Sequence, residues 1–276
     1  MRAAIVVHAA GQAAPIDQIV DAARANGVLV IEDCSQSHGA LFDGKPVGTF
    51  GNIAAFSTMY RKTHVTGASG GVVYTRDESL HRAALAHADR GKPRWLDGFD
   101  ERDPAGFLFP ALNLHTDEIS CAIGLASLRR LPMTIRARRA FVGGIAAGLR
   151  ASTVCDPYAA GPCDSPFIYP VRTKNLPLDA KMWFARAVRA EGIGLNPHYN
   201  YLVEDWPWIK PFLADDFQTR NARAVRDASF CLYLNENYGA PEIADTLAAI
   251  AKVEEVFLGA MSSQSNAPHP RATNEH

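Results

Sequence analysis

The first 33 residues constrain the fold of this chain more than any other segment. Residues 3–7 and 28–31 are short apolar runs with the composition of β-strands, and the second run leads into Asp33. Between them, residues 15–17 (PID) open an amphipathic helix that Gly27 ends. A strand, a helix and a strand within about 30 residues predict a βαβ unit. We therefore expect a parallel sheet with a right-handed crossover.

Polar residues that follow the strands are the first candidates for a functional site. Open α/β sheets bind ligands beyond the carboxyl ends of their strands. Asp33 follows the second strand, Ser57 ends a further apolar run at residues 53–56, and Lys62 lies five residues later. We therefore expect these three side chains to line one crevice.

The loop around Lys62 lies between two predicted strands and closes on Gly67, Gly70 and Gly71. A lysine that is partly withdrawn from water loses its proton more easily and becomes an amine nucleophile. Such an amine can form a Schiff base with an aldehyde cofactor. On this segment alone, a solvated lysine on a surface hairpin is the alternative.

The overall composition is that of a globular protein with two modest domains. The chain has 276 residues, of which 47% are apolar and 21% charged, and its net charge is −1. No basic stripe favours nucleic acid, and no apolar run approaches the roughly 20 residues that span a bilayer. The apolar run at the amino end is too short and too strand-like for a signal peptide.

Cysteines and histidines indicate the compartment and exclude a recognisable metal motif. The five cysteines have no CxxC spacing, which predicts reduced thiols in a cytoplasmic protein. The nine histidines include no HxH or HxxxH pair, so we expect no metal site.

A change of composition at residues 151–166 predicts a linker. We expect a large domain at residues 1–150 and a smaller α/β domain at 151–260. Residues 261–276 are polar and contain proline, which predicts a disordered tail.

Three local predictions concern the end of the large domain. Residues 91–112 are rich in Gly, Pro, Asp and aromatic residues, which indicates a long irregular segment. Thr116 is expected to cap a helix that ends near Arg130. Pro132 is expected to begin a second helix that continues to about Leu149.

The three candidate site residues match the needs of one cofactor. Pyridoxal phosphate needs an acid at its pyridine nitrogen, which keeps that nitrogen protonated and makes the ring an electron sink. It also needs a lysine for a Schiff base, and hydroxyl or amide donors for its phosphate. Asp33, Lys62 and Ser57 supply these groups. Asp33 as a simple turn-capping acid is the alternative.

Five segments together resemble the DegT/DnrJ/EryC1/StrS family of sugar and aminocyclitol aminotransferases. They are residues 6–17, 30–51, 54–75, 112–131 and 192–199, and their order and spacing match from Arg2 to about Leu258. The resemblance implies the type I fold of pyridoxal-phosphate enzymes. In that fold a large domain has a mostly parallel sheet, and a smaller α/β domain follows at the carboxyl end.

The resemblance also implies roles for individual residues. Asp33 would pair with the pyridine nitrogen, and Gln36 would pack near the ring and its 3-oxygen. Ser57 would bind the phosphate, and Lys62 would bind the cofactor covalently and later move a proton. Asn113 matches a family asparagine that reaches the phosphate of the neighbouring subunit's cofactor, which implies a homodimer with shared sites. Asn113 as a turn residue is the alternative.

Three histidines are weaker candidates for contacts with substrate. His8 follows the first strand, although a buried histidine with satisfied hydrogen bonds would look the same in sequence. His38 lies in the polar turn after Asp33, where a structural and a functional role are equally compatible with the pattern. His198 belongs to a His-Tyr pair that resembles a substrate-side loop of the family.

The resemblance implies transfer of an amino group from glutamate or glutamine to a keto sugar nucleotide or a keto cyclitol. Family chains carry elements before the strand that here begins at Ala3, including a Gly-Thr/Ser turn at a helix start and a side chain that stacks on the ring. Their absence motivates an alternative: a truncated, inactive member that acts as a binding or heterodimer partner. A sugar dehydratase of the same family is a third hypothesis, against which Lys62 argues, because those enzymes have histidine in its place.

Overall fold

The computed structural model describes residues 2–158 and 160–265, which fall into two compact units. The first unit comprises Met1–Arg139 and Ala160–Phe167, and the second comprises Ala140–Ala159 and Ile168–His276. The expected domain boundary after residue 150 lies within the opening segment of the second unit. As a boundary between independently folding domains it stays a prediction.

Ten strands and six helices make up the described residues. The strands are β1 (Ala3–Val7), β2 (Leu29–Asp33), β3 (Leu41–Phe42), β4 (Lys45–Pro46), β5 (Ile53–Ser57), β6 (Gly71–Tyr74), β7 (Cys155–Pro157), β8 (Ile168–Thr173), β9 (Leu195–Asn196) and β10 (Ser229–Tyr233). The helices are α1 (Ile16–Ala25), α2 (Glu78–Ala88), α3 (Glu118–Gly148), α4 (Leu178–Ala190), α5 (Arg220–Asp227) and α6 (Ala240–Ser265). Short 3-10 turns occupy residues 9–11, 104–106, 149–151, 203–205 and 207–212.

The predicted βαβ unit is confirmed. The first unit contains a four-stranded sheet in the order β1-β2-β5-β6, in which β1, β2 and β5 run parallel and β6 is antiparallel at the edge. Helix α1 packs on one face of this sheet, where Val6, Ile16, Ala23 and Val30 form a buried cluster. Gly27 takes a left-handed backbone conformation (φ 63°), which glycine adopts without strain, just after the helix ends.

The opposite face of this sheet remains open within the described residues. Side chains alternate along a strand, so Ile5 and Val7 point away from the α1 face, and Ile5 is 69% exposed. The strand register places Ile5 beside Ile31, and Val7 beside Asp33. Asp33 therefore lies on the open face, among apolar neighbours.

The two faces predict very different costs for the same substitution. Ile16→Ala should lower the free energy of unfolding by about 2–5 kcal/mol, because Ile16 is fully buried and a cavity remains. Ile5→Ala should cost less than about 1 kcal/mol. Urea unfolding of both variants measures the difference. Equal losses would mean that the open face is covered in solution.

Helix α3 corrects two local predictions. It continues through Pro132, where a second helix was expected to begin. A proline inside a helix costs about 3 kcal/mol, and the helix nevertheless continues and buries Ile135 in its next turn. The expected cap at Thr116 is also wrong: the Asp117 side chain accepts the Ser120 N–H at 2.8 Å, as a capping residue does.

The second unit contains an antiparallel sheet in the order β7-β8-β10-β9. Its core includes an aromatic contact series in which Phe184 lies 6.2 Å from Phe230 and 5.8 Å from Phe257, between ring centroids. Helix α6 runs to Ser265, so the expected disordered tail begins inside a helix, and residues 266–276 lie outside the described part of the chain. Among the described residues, every helix is too short or too polar to traverse a lipid bilayer.

Candidate active site

The ends of two neighbouring parallel strands bring Asp33 and Ser57 to the same edge of the sheet. Asp33 is the last residue of β2 and lies opposite Ala55 on β5. Ser57 ends β5 two residues later, and residues two apart on a strand share a face. Both side chains therefore open on the face that α1 leaves uncovered. The Asp33 carboxylate is oriented locally, because its Oδ1 accepts the Ser35 N–H at 2.9 Å.

Lys62 lies in the loop between β5 and β6. Backbone hydrogen bonds fold this loop back on itself, including Thr58 N–H to the Gly70 carbonyl and Lys62 N–H to the Met59 carbonyl, each at 2.8 Å. The Lys62 Nζ lies 4.8 Å from the centroid of the Phe167 ring. Burial lowers the pKa of the Lys62 amine, and the charge of Asp33 acts in the opposite direction. Lys62 and Asp33 are thus close enough to interact electrostatically.

These groups form a donor set that suits pyridoxal phosphate. A carboxylate can hold a protonated ring nitrogen, and a half-buried amine with a lowered pKa can attack an aldehyde. Ser57 Oγ accepts only a long contact of 3.5 Å from the Met59 N–H, so its hydroxyl proton remains available to an anion. The chemistry of the three side chains therefore fits the cofactor that the sequence predicts.

Phe167 contacts Lys62 but is not among the residues that the sequence pattern indicated as site candidates. It belongs to the first unit and lies immediately before β8, which begins at Ile168. The segment reaches Lys62 because Ser165 N–H donates to the Gly11 carbonyl at 2.8 Å. A Cβ atom at Gly11, which has φ 94°, would collide with the Ser165 backbone. A local sequence pattern does not indicate a contact between Lys62 and Phe167, which are about 100 residues apart in the chain.

Gln36 is held against the turn that follows β1. Its Oε1 accepts the Ala10 N–H at 2.9 Å. Ala10 has a left-handed conformation (φ 57°), which is uncommon for a residue with a Cβ atom. The turn thus aims its N–H at Gln36 and fixes one end of the amide. Contact of Gln36 with a ring stays a prediction.

His38 is a buried imidazole with unsatisfied nitrogens. It is 4% exposed, and neither ring nitrogen has a hydrogen-bond partner among the described residues. The Ser57 backbone lies near enough to favour the protonated ring slightly, but outside hydrogen-bond geometry. Burial, with the charges of His64 and Lys62, lowers the pKa of His38 to about 4. The neutral His38 imidazole near Lys62 can therefore still donate one hydrogen bond and accept another.

His8 has both ring nitrogens occupied. Nε2 lies 3.0 Å from Glu32 Oε2, and Nδ1 accepts the Ala14 N–H at 3.0 Å. Glu32 also accepts the backbone N–H groups of Gly48, Phe50 and Gly51. His8 is fully buried and has no nitrogen to offer a substrate, so the geometry favours the structural alternative.

His8 and Glu32 also lie close to Cys34, and the three residues have the spacing of a metal-binding group. Ligand atoms of His8, Glu32 and Cys34 lie within 4.8 Å of one another. The imidazole nitrogens and the carboxylate oxygens are used in hydrogen bonds. Burial, with the charges of Glu32 and Asp33, raises the pKa of the Cys34 thiol to about 12, which favours the protonated thiol.

Asn113 is exposed beside a buried, highly charged group. It forms a β-bridge with Asp89, whose carboxylate lies 2.7 Å from His115 Nε2 and 3.1 Å from Arg90 Nη2. Burial by itself raises the pKa of Asp89, but hydrogen bonds from Arg94 and Arg90 bring it down to about 2. This anchoring fixes the backbone at Asn113 and leaves its side chain at the surface.

His198 lies in the second unit, between β9 and α5. Its Nδ1 is 3.0 Å from the amine of the buried Lys181, and its backbone N–H donates to Asn196 Oδ1 at 3.0 Å. The loop is therefore anchored at both its backbone and its side chain.

Comparison with known proteins identifies a matching protein family and several relatives. The profile of the DegT/DnrJ/EryC1/StrS aminotransferase family matches residues 1–250. GDP-perosamine synthase of Escherichia coli O157:H7 is 34% identical over 142 residues, which are 50% of this chain and 36% of that protein. The chain thus spans little more than a third of that relative's length.

Two solved structures share the fold. Helicobacter pylori PseC, an aminotransferase involved in the biosynthesis of pseudoaminic acid, superposes with a TM-score of 0.83 at 18% identity, over 93% of this chain and 67% of that one. E. coli GDP-4-keto-6-deoxy-D-mannose-3-dehydratase with bound hydrated PLP gives a TM-score of 0.78 at 22% identity, over 91% and 67%. These superpositions confirm the expected type I fold, and the match of the family profile shows that the chain belongs to the DegT/DnrJ/EryC1/StrS aminotransferase family.

Proposed function

We propose that this chain binds pyridoxal 5'-phosphate and transfers an amino group from glutamate or glutamine to a keto sugar nucleotide or a keto cyclitol. Membership of an aminotransferase family supports this function. The observation that supports this function most directly is the half-buried amine of Lys62. Burial lowers the pKa of this amine, and the nearby charge of Asp33 partly opposes that effect. Lys62 also argues against the dehydratase hypothesis.

Each of the four candidate cofactor-binding residues in the first unit has a distinct role in this proposal. When bound, the cofactor supplies a ring that withdraws electrons from the substrate's α-carbon. The Asp33 carboxylate holds a proton on the ring nitrogen. The Lys62 Nζ would hold the cofactor covalently and would move a proton during the reaction. Ser57 Oγ donates a hydrogen bond to the phosphate, and the Gln36 amide lies beside the ring.

His38 and His198 are the histidines that we propose for substrate contacts. His38 has an unsatisfied imidazole near Lys62. His198 has side-chain exposure of 21%, so a ligand can reach it. His8 is omitted, because its nitrogens are already bonded.

We further propose a homodimer in which Asn113 reaches the partner's cofactor phosphate. Asn113 is exposed and lies five residues before the start of α3, whose first half exposes Ile119 (74%), Leu125 and Leu128. A helix that is apolar on nearly every side is normally buried. A second copy of the chain would cover these side chains. The five cysteines are unpaired, which favours a cytoplasmic location.

The proposed dimer predicts that a single charge introduced on the exposed face of α3 weakens self-association. Leu128→Asp should weaken self-association at least about 100-fold, because a buried, unpaired carboxylate is costly. Val256→Asp is the matched control, since Val256 is equally exposed but lies on α6. Sedimentation velocity at several concentrations measures both variants. A Leu128→Asp protein that associates like the unmodified chain contradicts this interface.

Covalent trapping tests the function. The purified chain is mixed with pyridoxal phosphate near pH 8, reduced with borohydride and digested for mass spectrometry. We expect about one cofactor per chain, attached at Lys62, because its lowered pKa leaves more of the amine in the neutral, nucleophilic form. Label spread over exposed lysines, with Lys62 unmodified, would overturn the proposal in favour of an inactive binding partner.

A further inference from the structure

Lys181 is a fully buried lysine in the second unit. It lies on the inner face of α4, together with Phe184 and Val188. A buried ammonium group is costly unless each of its protons has an acceptor. The Lys181 Nζ lies near four acceptors: the Pro197 carbonyl at 3.0 Å, His198 Nδ1 at 3.0 Å, the Arg226 carbonyl at 3.3 Å and, as a weaker contact, Met182 Sδ at 3.7 Å.

This arrangement decides the tautomer of His198. Burial lowers the pKa of the Lys181 amine, and the charge of Asp227 raises it. With Lys181 as an ammonium group, which has three protons and no lone pair, the partner on the imidazole is an unprotonated nitrogen. With Nδ1 as the acceptor, the single proton of the neutral ring lies on Nε2. Burial, with the charges of Lys181 and Arg226, lowers the pKa of His198, which keeps the ring neutral at pH 7. His198 is thereby fixed as an Nε2–H donor.

The Nε2–H group faces a carboxylate that it does not reach. His198 Nε2 lies 3.9 Å from Asp227 Oδ1, which is beyond a direct hydrogen bond. Their side chains are 21% and 32% exposed, so both are accessible. Asp227 is held in place, because its Oδ1 accepts Arg226 Nε at 2.7 Å. A donor and an acceptor at this separation suit a hydroxyl group, which can accept from one and donate to the other.

We propose that Lys181 is a positioning residue that fixes His198 as an Nε2–H donor, and that His198 and Asp227 together bind a hydroxyl group of the acceptor sugar or cyclitol. The identity of the ligand as a polyol rests on the proposed function. The tautomer of His198 depends only on the contacts within the second unit.

The tautomer is tested by NMR of protein labelled with ¹⁵N-histidine. We expect His198 to show an unprotonated Nδ1 and a protonated Nε2 throughout pH 7–9. Lys181→Met removes the three donors and should give a mixture of tautomers. Lys174→Met is the control, because Lys174 is an exposed lysine of the same unit. A His198 ring protonated on Nδ1, or one whose tautomer is unchanged in Lys181→Met, overturns the positioning role.

Ligand binding is tested with myo-inositol and, separately, with GDP-mannose as probes. A bound hydroxyl should shift the Nε2 resonance of His198, and Asp227→Asn should weaken the binding of the active probe at least tenfold. Asp215→Asn, at an exposed position, should leave it unchanged. Resonances that do not respond to either probe mean that only water bridges the pair, which overturns the hydroxyl site.

Two outcomes keep these results separate from the proposed function. If Lys181→Met does not fold, the tautomer of the unmodified chain alone decides the positioning role. If borohydride trapping fails at Lys62 while the tautomer and the probe shift are found, the site in the second unit stands and the aminotransferase proposal fails.

Discussion

Lys62→Ala should lower the rate of the donor half-reaction at least about 10³-fold, because in the proposed mechanism the same amine would both attach the cofactor and move the proton. The half-reaction is measured with glutamate and pyridoxal phosphate as the release of 2-oxoglutarate, so the acceptor need not be known. The fold should be unaffected, since Lys62 is half-buried and its Nζ makes no hydrogen bond among the described residues beyond its contact with the Phe167 ring.

Lys45→Ala provides the matched control for this experiment. Lys45 lies on the short strand β4 and is exposed, and its loss should leave the rate within about twofold. Lys62→Arg separates charge from nucleophilicity, because a guanidinium keeps the positive charge but does not act as the amine. A Lys62→Arg or Lys62→Ala protein with nearly full activity would show that another amine does the chemistry.

Asp33→Asn should slow the same half-reaction by about 10²–10³-fold, the usual cost of losing one group that stabilises developing charge. Asparagine has the shape of aspartate and retains an oxygen that can accept the Ser35 N–H. It cannot hold a proton on the ring nitrogen as a carboxylate does. The expected loss is therefore one of rate, with covalent attachment at Lys62 retained.

The pH dependence of Asp33→Asn gives a second, independent result. The charge of Asp33 raises the pKa of the Lys62 amine, against the larger lowering by burial. Removing that charge should lower the pKa further, so the neutral amine should appear at lower pH than in the unmodified chain. The rate of borohydride trapping against pH measures this shift. Asp43→Asn, on an exposed turn, should not move the profile, and a profile that moves to higher pH would contradict the assigned proximity.

The sheet and two of the strand-end residues could be predicted from local patterns. The apolar runs at residues 3–7 and 28–31, with one amphipathic helix between them, permit few arrangements other than a parallel pair. Because parallel strands end at the same edge, the positions of Asp33 and Ser57 followed from strand assignment alone.

Other features depend on contacts that no local pattern encodes. Phe167 reaches the loop of Lys62 because a distant segment hydrogen-bonds to the turn at Gly11. His8 looked like a site residue from its place after β1, but Glu32 and Ala14 occupy both of its nitrogens. The continuation of α3 through Pro132 is likewise not indicated by the local pattern, because proline normally begins or ends a helix.

The βαβ unit follows from the strand and helix periodicity of neighbouring residues, and the family follows from the resemblance of five segments, which the profile match over residues 1–250 confirms. The order of acid, hydroxyl and amine along the chain can also be read from the sequence. Only the tertiary structure decided which buried groups are already satisfied and which still have a free donor or acceptor. His8 has hydrogen-bond partners at both ring nitrogens, whereas His38 has none among the described residues. Lys181 and His198 are hydrogen-bonded to each other. Hydrogen-bond partners and burial come from segments far apart in sequence, and they exist only once the chain has folded.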